Sequence, residues 1–86
     1  MTIHKYPLKW EETQIIDVPP GAEPLALQPQ NGVPTLWAKV DEDAILEPRT
    51  VRIFGTGAPM SADPGRYLGT IQAGCFVFHF FMEVSL

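Results

Sequence analysis

Cysteine is almost absent. Cys75 stands alone among 86 residues, so no internal disulfide can staple the chain, and a reducing compartment is the expected setting. Basic residues are scarce as well: six Lys plus Arg face ten Asp plus Glu, for a formal net charge of -4. Proteins that track duplex DNA carry a basic stripe, and none is visible, so duplex DNA is excluded as a partner. Long apolar runs are missing too. The longest, "CFVFHFFM" (75–82), is far too short to cross a bilayer as a helix and is interrupted by His79. The opening "MTIHKYPLKW" alternates charge and bulk and lacks the apolar core of a signal peptide. The expectation is a soluble cytoplasmic protein with no membrane partner.

Helical periodicity is the next absence. Nine prolines and seven glycines cut the chain every few residues, and no window keeps apolar residues at i, i+3, i+4 and i+7 for three turns. What the chain has instead is period two. Strands are predicted near 2–7, 13–18, 24–28, 33–40, 49–55, 66–72 and 75–84. Residues 1–86 therefore read as a single small all-β domain, an antiparallel sandwich or barrel of six to seven short strands. A chain of this size buries only about 60–65% of its unfolded surface, so a homo-oligomer is expected as a way to enlarge a thin core.

Turn chemistry supports the segmentation. "VPPGAEP" (18–24) offers Pro20 and Gly21 for the central positions of a type II turn. "QPQNGVP" (28–34) holds Asn31-Gly32, the pair best suited to a tight hairpin. Pro29 and Pro34 cannot donate to a ladder, which places that hairpin at a sheet edge. "QAGCF" (72–76) is a third turn. "TGAPMSADPG" (56–65) is a long irregular segment of the kind that often carries function. Asp41, Glu42, Asp43 and Glu47 crowd a further loop, read as a solvated surface.

Alternation also sorts faces. In the last strand Phe76, Phe78, Phe80, Met82 and Val84 form a core set. Val77, His79 and Phe81 lie opposite, too apolar for open solvent, and are the candidate interface. Either a second layer or another subunit must cover them. In 33–40, Leu36, Ala38 and Val40 share the core face, leaving Val33, Thr35, Trp37 and Lys39 opposite. Trp37 is a candidate contact residue, the alternative being a second core layer.

The chemistry-bearing patterns are sparse. "RIFGTG" (52–57) is echoed by "RYLGTI" (66–71). If the two segments pair antiparallel, Arg52 faces Gly69 and Gly55 faces Arg66, and two guanidiniums about 10 Å apart could clamp a phosphate or carboxylate. Both could equally pair with nearby acids. Gly55, Thr56 and Gly57 offer a small amide nest for an anion, or simply a bulge or turn. They do not complete a dinucleotide fingerprint or a P-loop, since the third glycine is missing, Pro59 lacks an N–H and no Lys-Ser/Thr follows. Cys75 and His79 are separated by four residues of strand, about 13 Å, and cannot form a dyad. His4, His79 and Cys75 have no metal-ligand spacing. The expectation is a protein without metal, cofactor or catalytic residues, not an enzyme.

"IHKYPL", "LWAKVD", "RIFGTG", "RYLGT" and "FHFF", taken together, resemble a family of small bacteriophage-encoded proteins. The resemblance spans nearly the whole chain and carries no activity. It implies an accessory protein acting stoichiometrically in the bacterial host cytoplasm, where it counteracts host immunity. In one form, Arg52, Arg66, Gly55, Thr56, Gly57 and Trp37 enclose a small anionic nucleotide signal. In a second, the chain blocks a host defence nuclease or CRISPR effector, its acidic 41–47 loop meeting a basic channel and Trp37 or Phe81 acting as anchors. A third form is a virion or assembly component.

Overall fold

The computed structural model describes residues 1–84. Seven strands follow one another: β1 (Thr2–Pro7), β2 (Thr13–Val18), β3 (Glu23–Gln30), β4 (Val33–Val40), β5 (Glu47–Gly55), β6 (Arg66–Ala73) and β7 (Phe76–Met82). Each predicted strand is present, with ends moved by two residues or fewer. Two sheets face each other as a sandwich: β1-β4-β3, and β2-β5-β7-β6, with every pairing antiparallel. Among the described residues no helix is long and apolar enough to cross a membrane.

The turns obey their local chemistry. Ala22 N–H returns to the Pro19 carbonyl with Gly21 at φ 74°, a type II turn led by Pro20. Asn31 and Gly32 both take positive φ between the facing pair Gln30 and Val33, a type I′ hairpin. Gly74 alone is positive in the two-residue turn that joins β6 to β7, as type II′ requires.

Prolines sit where the ladder does not need them. Pro29 faces Pro34 in the pair after the Gln30–Val33 pair that closes the hairpin. The residues of that next pair aim their backbone groups away from each other. β3 is an edge strand, as the prolines suggested, but β4 is the centre of its sheet. Pro34 is tolerated there because Thr35 faces Pro7, the last residue of β1, and the Pro34 carbonyl accepts from Leu8 N–H at 2.7 Å. Pro48 follows the same logic in β5. Thr50 C=O and Thr56 N–H bond toward β7, so even-numbered positions face that strand. β7 has already ended at Met82 opposite Val51.

The expected pairing of 49–55 with 66–72 does not form. β7 lies between β5 and β6, which run parallel to each other. The cause is the two-residue turn: it folds β7 back against β6 before any other strand can occupy that edge. β7, the most apolar segment, then has both edges satisfied inside the sheet. The segment 56–65 becomes a crossover that carries the chain past β7 from one end of the sheet to the other.

The core is built by Leu27, Leu36, Val51, Ile53, Ile71, Phe80 and Met82, with Leu8 at one margin. Phe80 faces Ile53 on one side and Gly69 on the other. At Gly69 the two sheets approach closely. A Cβ there would lie 3.1 Å from Leu27 Cβ, next to the register shift at Leu68. The second glycine of the repeated pattern is thus a packing residue. The core set of β7 is shorter than alternation predicted: Phe76, which closes the turn from β6, is 64% exposed, and Val84, beyond the last residue of the strand, also projects into solvent.

Candidate functional site

The outer face of the four-stranded sheet gathers most of the residues singled out in the sequence. Pairing puts Arg52 beside Phe81, and Phe81 beside Tyr67; Phe54 sits beside His79, and His79 beside Thr70. Residues opposite one another share a face, so these form one surface. Phe54 meets Phe81 edge-on with centroids 5.8 Å apart, and Tyr67 meets Phe81 at 5.4 Å. Val77, His79 and Phe81 are half-buried among the neighbouring strands of their own sheet, while Tyr67 is 54% exposed.

His79 is held from both sides. The Thr56 hydroxyl pairs with Nε2 at 2.7 Å and also reaches the Val77 carbonyl at 3.4 Å. Nδ1 pairs with the Thr70 hydroxyl at 2.9 Å, and Thr70 pairs in turn with the Tyr67 hydroxyl. With both ring nitrogens engaged, the imidazole ties the Thr56 turn on one side to Thr70 and Tyr67 of β6 on the other.

The crossover segment lies over part of this face. Ala58 and Met60 share a depression of about 350 Å³ with Phe54, Tyr67, His79 and Phe81, floored by Gly55, Thr56 and Gly57. The question of what covers the face is therefore answered in part by the chain itself. Gly55 C=O accepts from Ala58 N–H at 3.0 Å with Gly57 at φ 85°. Gly-Thr-Gly is the start of a type II turn that launches the crossover.

A second depression of about 440 Å³ opens on the far side of the same turn, between Trp10, Glu11, Glu12, Arg52, Gly55 and Phe78. Trp10 carried no signal in the sequence because it sits in a loop, where alternation says nothing. Its ring packs 5.5 Å from Phe78 and 6.1 Å from Phe80, and its Nε1–H reaches the Gly32 carbonyl at 3.3 Å.

Three of the sequence candidates are separated. Arg52 shares the outer face with Phe81. Arg66 faces Met82, a core-side position, and lines a different cleft with Arg49, Glu23 and Glu83. The shared hollow expected for Arg52 and Arg66 is absent, because β7 intervenes and the two residues fall on opposite parities of the sheet. Trp37 lies on the outer face of the other sheet, in register with Lys5 and Ala26, so it cannot join the Gly-Thr-Gly turn. Arg49 was passed over. It is nearly buried and its guanidinium meets Glu47 at 2.6 Å; its alternation with Val51 and Ile53 was the signal that marked it as inward.

Charge around Arg52 is set by its neighbours. Glu11 and Glu12 share one cleft with it, and Asp63 and Glu83 another. Glu83 also borders the cleft of Arg49 and Arg66, so the excess of negative charge beside Arg52 comes from Glu11, Glu12 and Asp63. A polyphosphate would meet repulsion there, and a basic surface attraction. Among the described residues, no group of three or more His, Cys, Asp or Glu is placed to hold a metal ion.

The family model described as Domain of unknown function (DUF7352) matches residues 1–85. The chain belongs to that family. No curated protein and no solved structure matches it. The family match covers both sheets, the crossover and the acidic loop together, and its description assigns no activity to any of them.

Proposed function

We propose that the chain is a non-enzymatic binding protein that covers a basic surface on a partner protein. The contact is the outer face of the four-stranded sheet with its crossover. The observation that carries this reading is an aromatic cluster on the outer face, Tyr67, Phe81 and Phe54, with Arg52 in register beside Phe81 and acids lining the clefts on either side of Arg52: Glu11 and Glu12 in one, Asp63 and Glu83 in the other. Aromatic anchors supply most of the energy in such interfaces, and the acidic clefts steer a basic partner. The acidic 41–47 loop adds a further contact of the same sign, tipped by Ile45, which is 86% exposed.

In the setting implied by the resemblance to phage proteins, the partner is a nucleic-acid-binding host defence nuclease or effector in the bacterial cytoplasm. Covering its basic channel is enough to inhibit it, and no turnover is needed. Capture of a nucleotide is the less favoured chemistry, because Arg66 and Trp37 do not accompany Arg52.

The test is a binding isotherm against the defence protein whose activity the chain suppresses in cells. Tyr67→Ala is expected to weaken binding about 30-fold, the loss of a roughly 2 kcal/mol anchor. Neutralising Glu11, Glu12 and Asp63 should reduce affinity more at low salt than at high. Unchanged affinity in both variants overturns the reading. So does a nucleotide that raises the melting temperature of the free protein and loses that effect with Arg52→Ala.

A further inference from the structure

The four sheet edges are not alike. β3 carries Pro24 and Pro29 and a register shift after Pro24; β6 has a register shift and Gly69; β1 carries Lys5 and ends in Pro7. These are the devices by which natural edges avoid pairing with another chain. β2 (Thr13–Val18) has only a single charge, Asp17, near its end. Its sequence TQIIDV contains no Pro, Gly or Lys, its pairing with β5 is unbroken, and Ile15 is 69% exposed.

Ladder parity shows which groups of β2 face outward. Ile53 N–H bonds to the Glu12 carbonyl, so odd positions of β5 face β2. Their partners Gln14, Ile16 and Val18, opposite Val51, Arg49 and Glu47, are turned inward. The backbone groups of Thr13, Ile15 and Asp17 are left pointing away from the sheet.

From this we infer that β2 pairs antiparallel with β2 of a second copy of the chain, about a twofold axis at Ile15. Thr13 then faces Asp17 of the other copy, Ile15 faces Ile15, and Asp17 faces Thr13. This register uses all three outward residues, gives about six backbone hydrogen bonds at two per facing pair, and keeps the two Asp17 carboxylates apart, each opposite a threonine hydroxyl. Any shift of the axis loses a pair. The product is an eight-stranded sheet. Facing residues share a face, so the two aromatic outer faces become one continuous surface with both Ile15 side chains at its middle. The contact is self-complementary and closes on itself, as a twofold interface must.

Sedimentation velocity across a concentration series of the full-length chain tests this. The expected result is a monomer–dimer equilibrium that salt strengthens, since each copy carries a formal charge of -4. Ile15→Lys places like charges directly opposite and should weaken the dimer at least tenfold while leaving the circular dichroism spectrum unchanged. In a Cys75→Ser background, Ile15→Cys should oxidise to a covalent dimer, because Cα atoms of such a facing pair lie about 5.5 Å apart, inside disulfide range. Ile3→Cys, exposed on the β1 edge, should not. A strict monomer, a dimer indifferent to Ile15→Lys, or equal cross-linking through Ile3→Cys would each overturn the inference.

Discussion

Truncating Phe80 to alanine is expected to remove about 3–5 kcal/mol of stability, the range seen when a fully buried aromatic is deleted from a core. Phe80 has no solvent exposure. It faces Ile53 and Gly69 across the ladders and receives the edge of Trp10. Gly69 has no side chain to lean into the void, so the site can collapse only through larger movements. A domain of this size has a total stability of about 4–13 kcal/mol, so the loss is a large share of the total and should appear as a strongly lowered urea midpoint. The adjacent change Phe81→Ala is the control. That side chain sits on the outer face against Phe54 and Tyr67, so its loss should cost about 1 kcal/mol in edge-on ring contacts while damaging partner binding. Urea denaturation of the two variants measures this directly. Equal destabilisation by both would mean that the outer face is a second core.

Gly65→Ala should be the most damaging single methyl in the chain. Gly65 has φ 101°, a conformation that L residues rarely adopt, and an added Cβ would stand 2.4 Å from the Met82 carbonyl oxygen and 2.8 Å from its carbon. The obstacle is backbone, so no rotamer change relieves it. Strain and overpacking together set the cost at about 2–5 kcal/mol, which lowers the melting temperature by roughly 8–40 °C at the usual slope for such a domain. The effect also bears on function. Gly65 is the last residue of the crossover before β6, and backing it away from β7 must shift the segment that lies over Phe81 and His79. Gly57→Ala makes a useful comparison. It has a positive φ but nothing within 4 Å of the added carbon, so it should cost only the conformational part. A calorimetric Tm for Gly65→Ala within a few degrees of wild type would contradict the close approach.

Strands and turns were legible in the sequence because both depend on local chemistry. Alternation in 33–40 and 75–84 marks faces, and Asn31-Gly32 and Pro20-Gly21 have few other conformations to offer. Strand order was not legible. Period two says which way a side chain points and nothing about which strand lies beside it. The echo of Arg-x-x-Gly-Thr made β5 and β6 look like neighbours, when the short Gly74-Cys75 turn had already committed β7 to that place. Once β7 intervenes, Arg52 belongs with Phe81 and Arg66 with Met82. The site was therefore visible in pieces: Gly55, Thr56 and Gly57 from the turn, His79 and Phe81 from the apolar outer set. Their meeting depends on register, and the contribution of Trp10 depends on a loop that carries no periodic signal.

Photo-cross-linking in cells under defence challenge tests the proposed contact surface most directly, with a benzophenone amino acid placed in turn at Tyr67, Phe81 and Trp37. Positions 67 and 81, on the outer face of the four-stranded sheet, should each give one discrete adduct with the same host protein, and position 37, on the opposite side of the sandwich, should give none. An adduct from position 37 with none from 67 or 81 would contradict the account, as would silence from all three in cells where the chain is active.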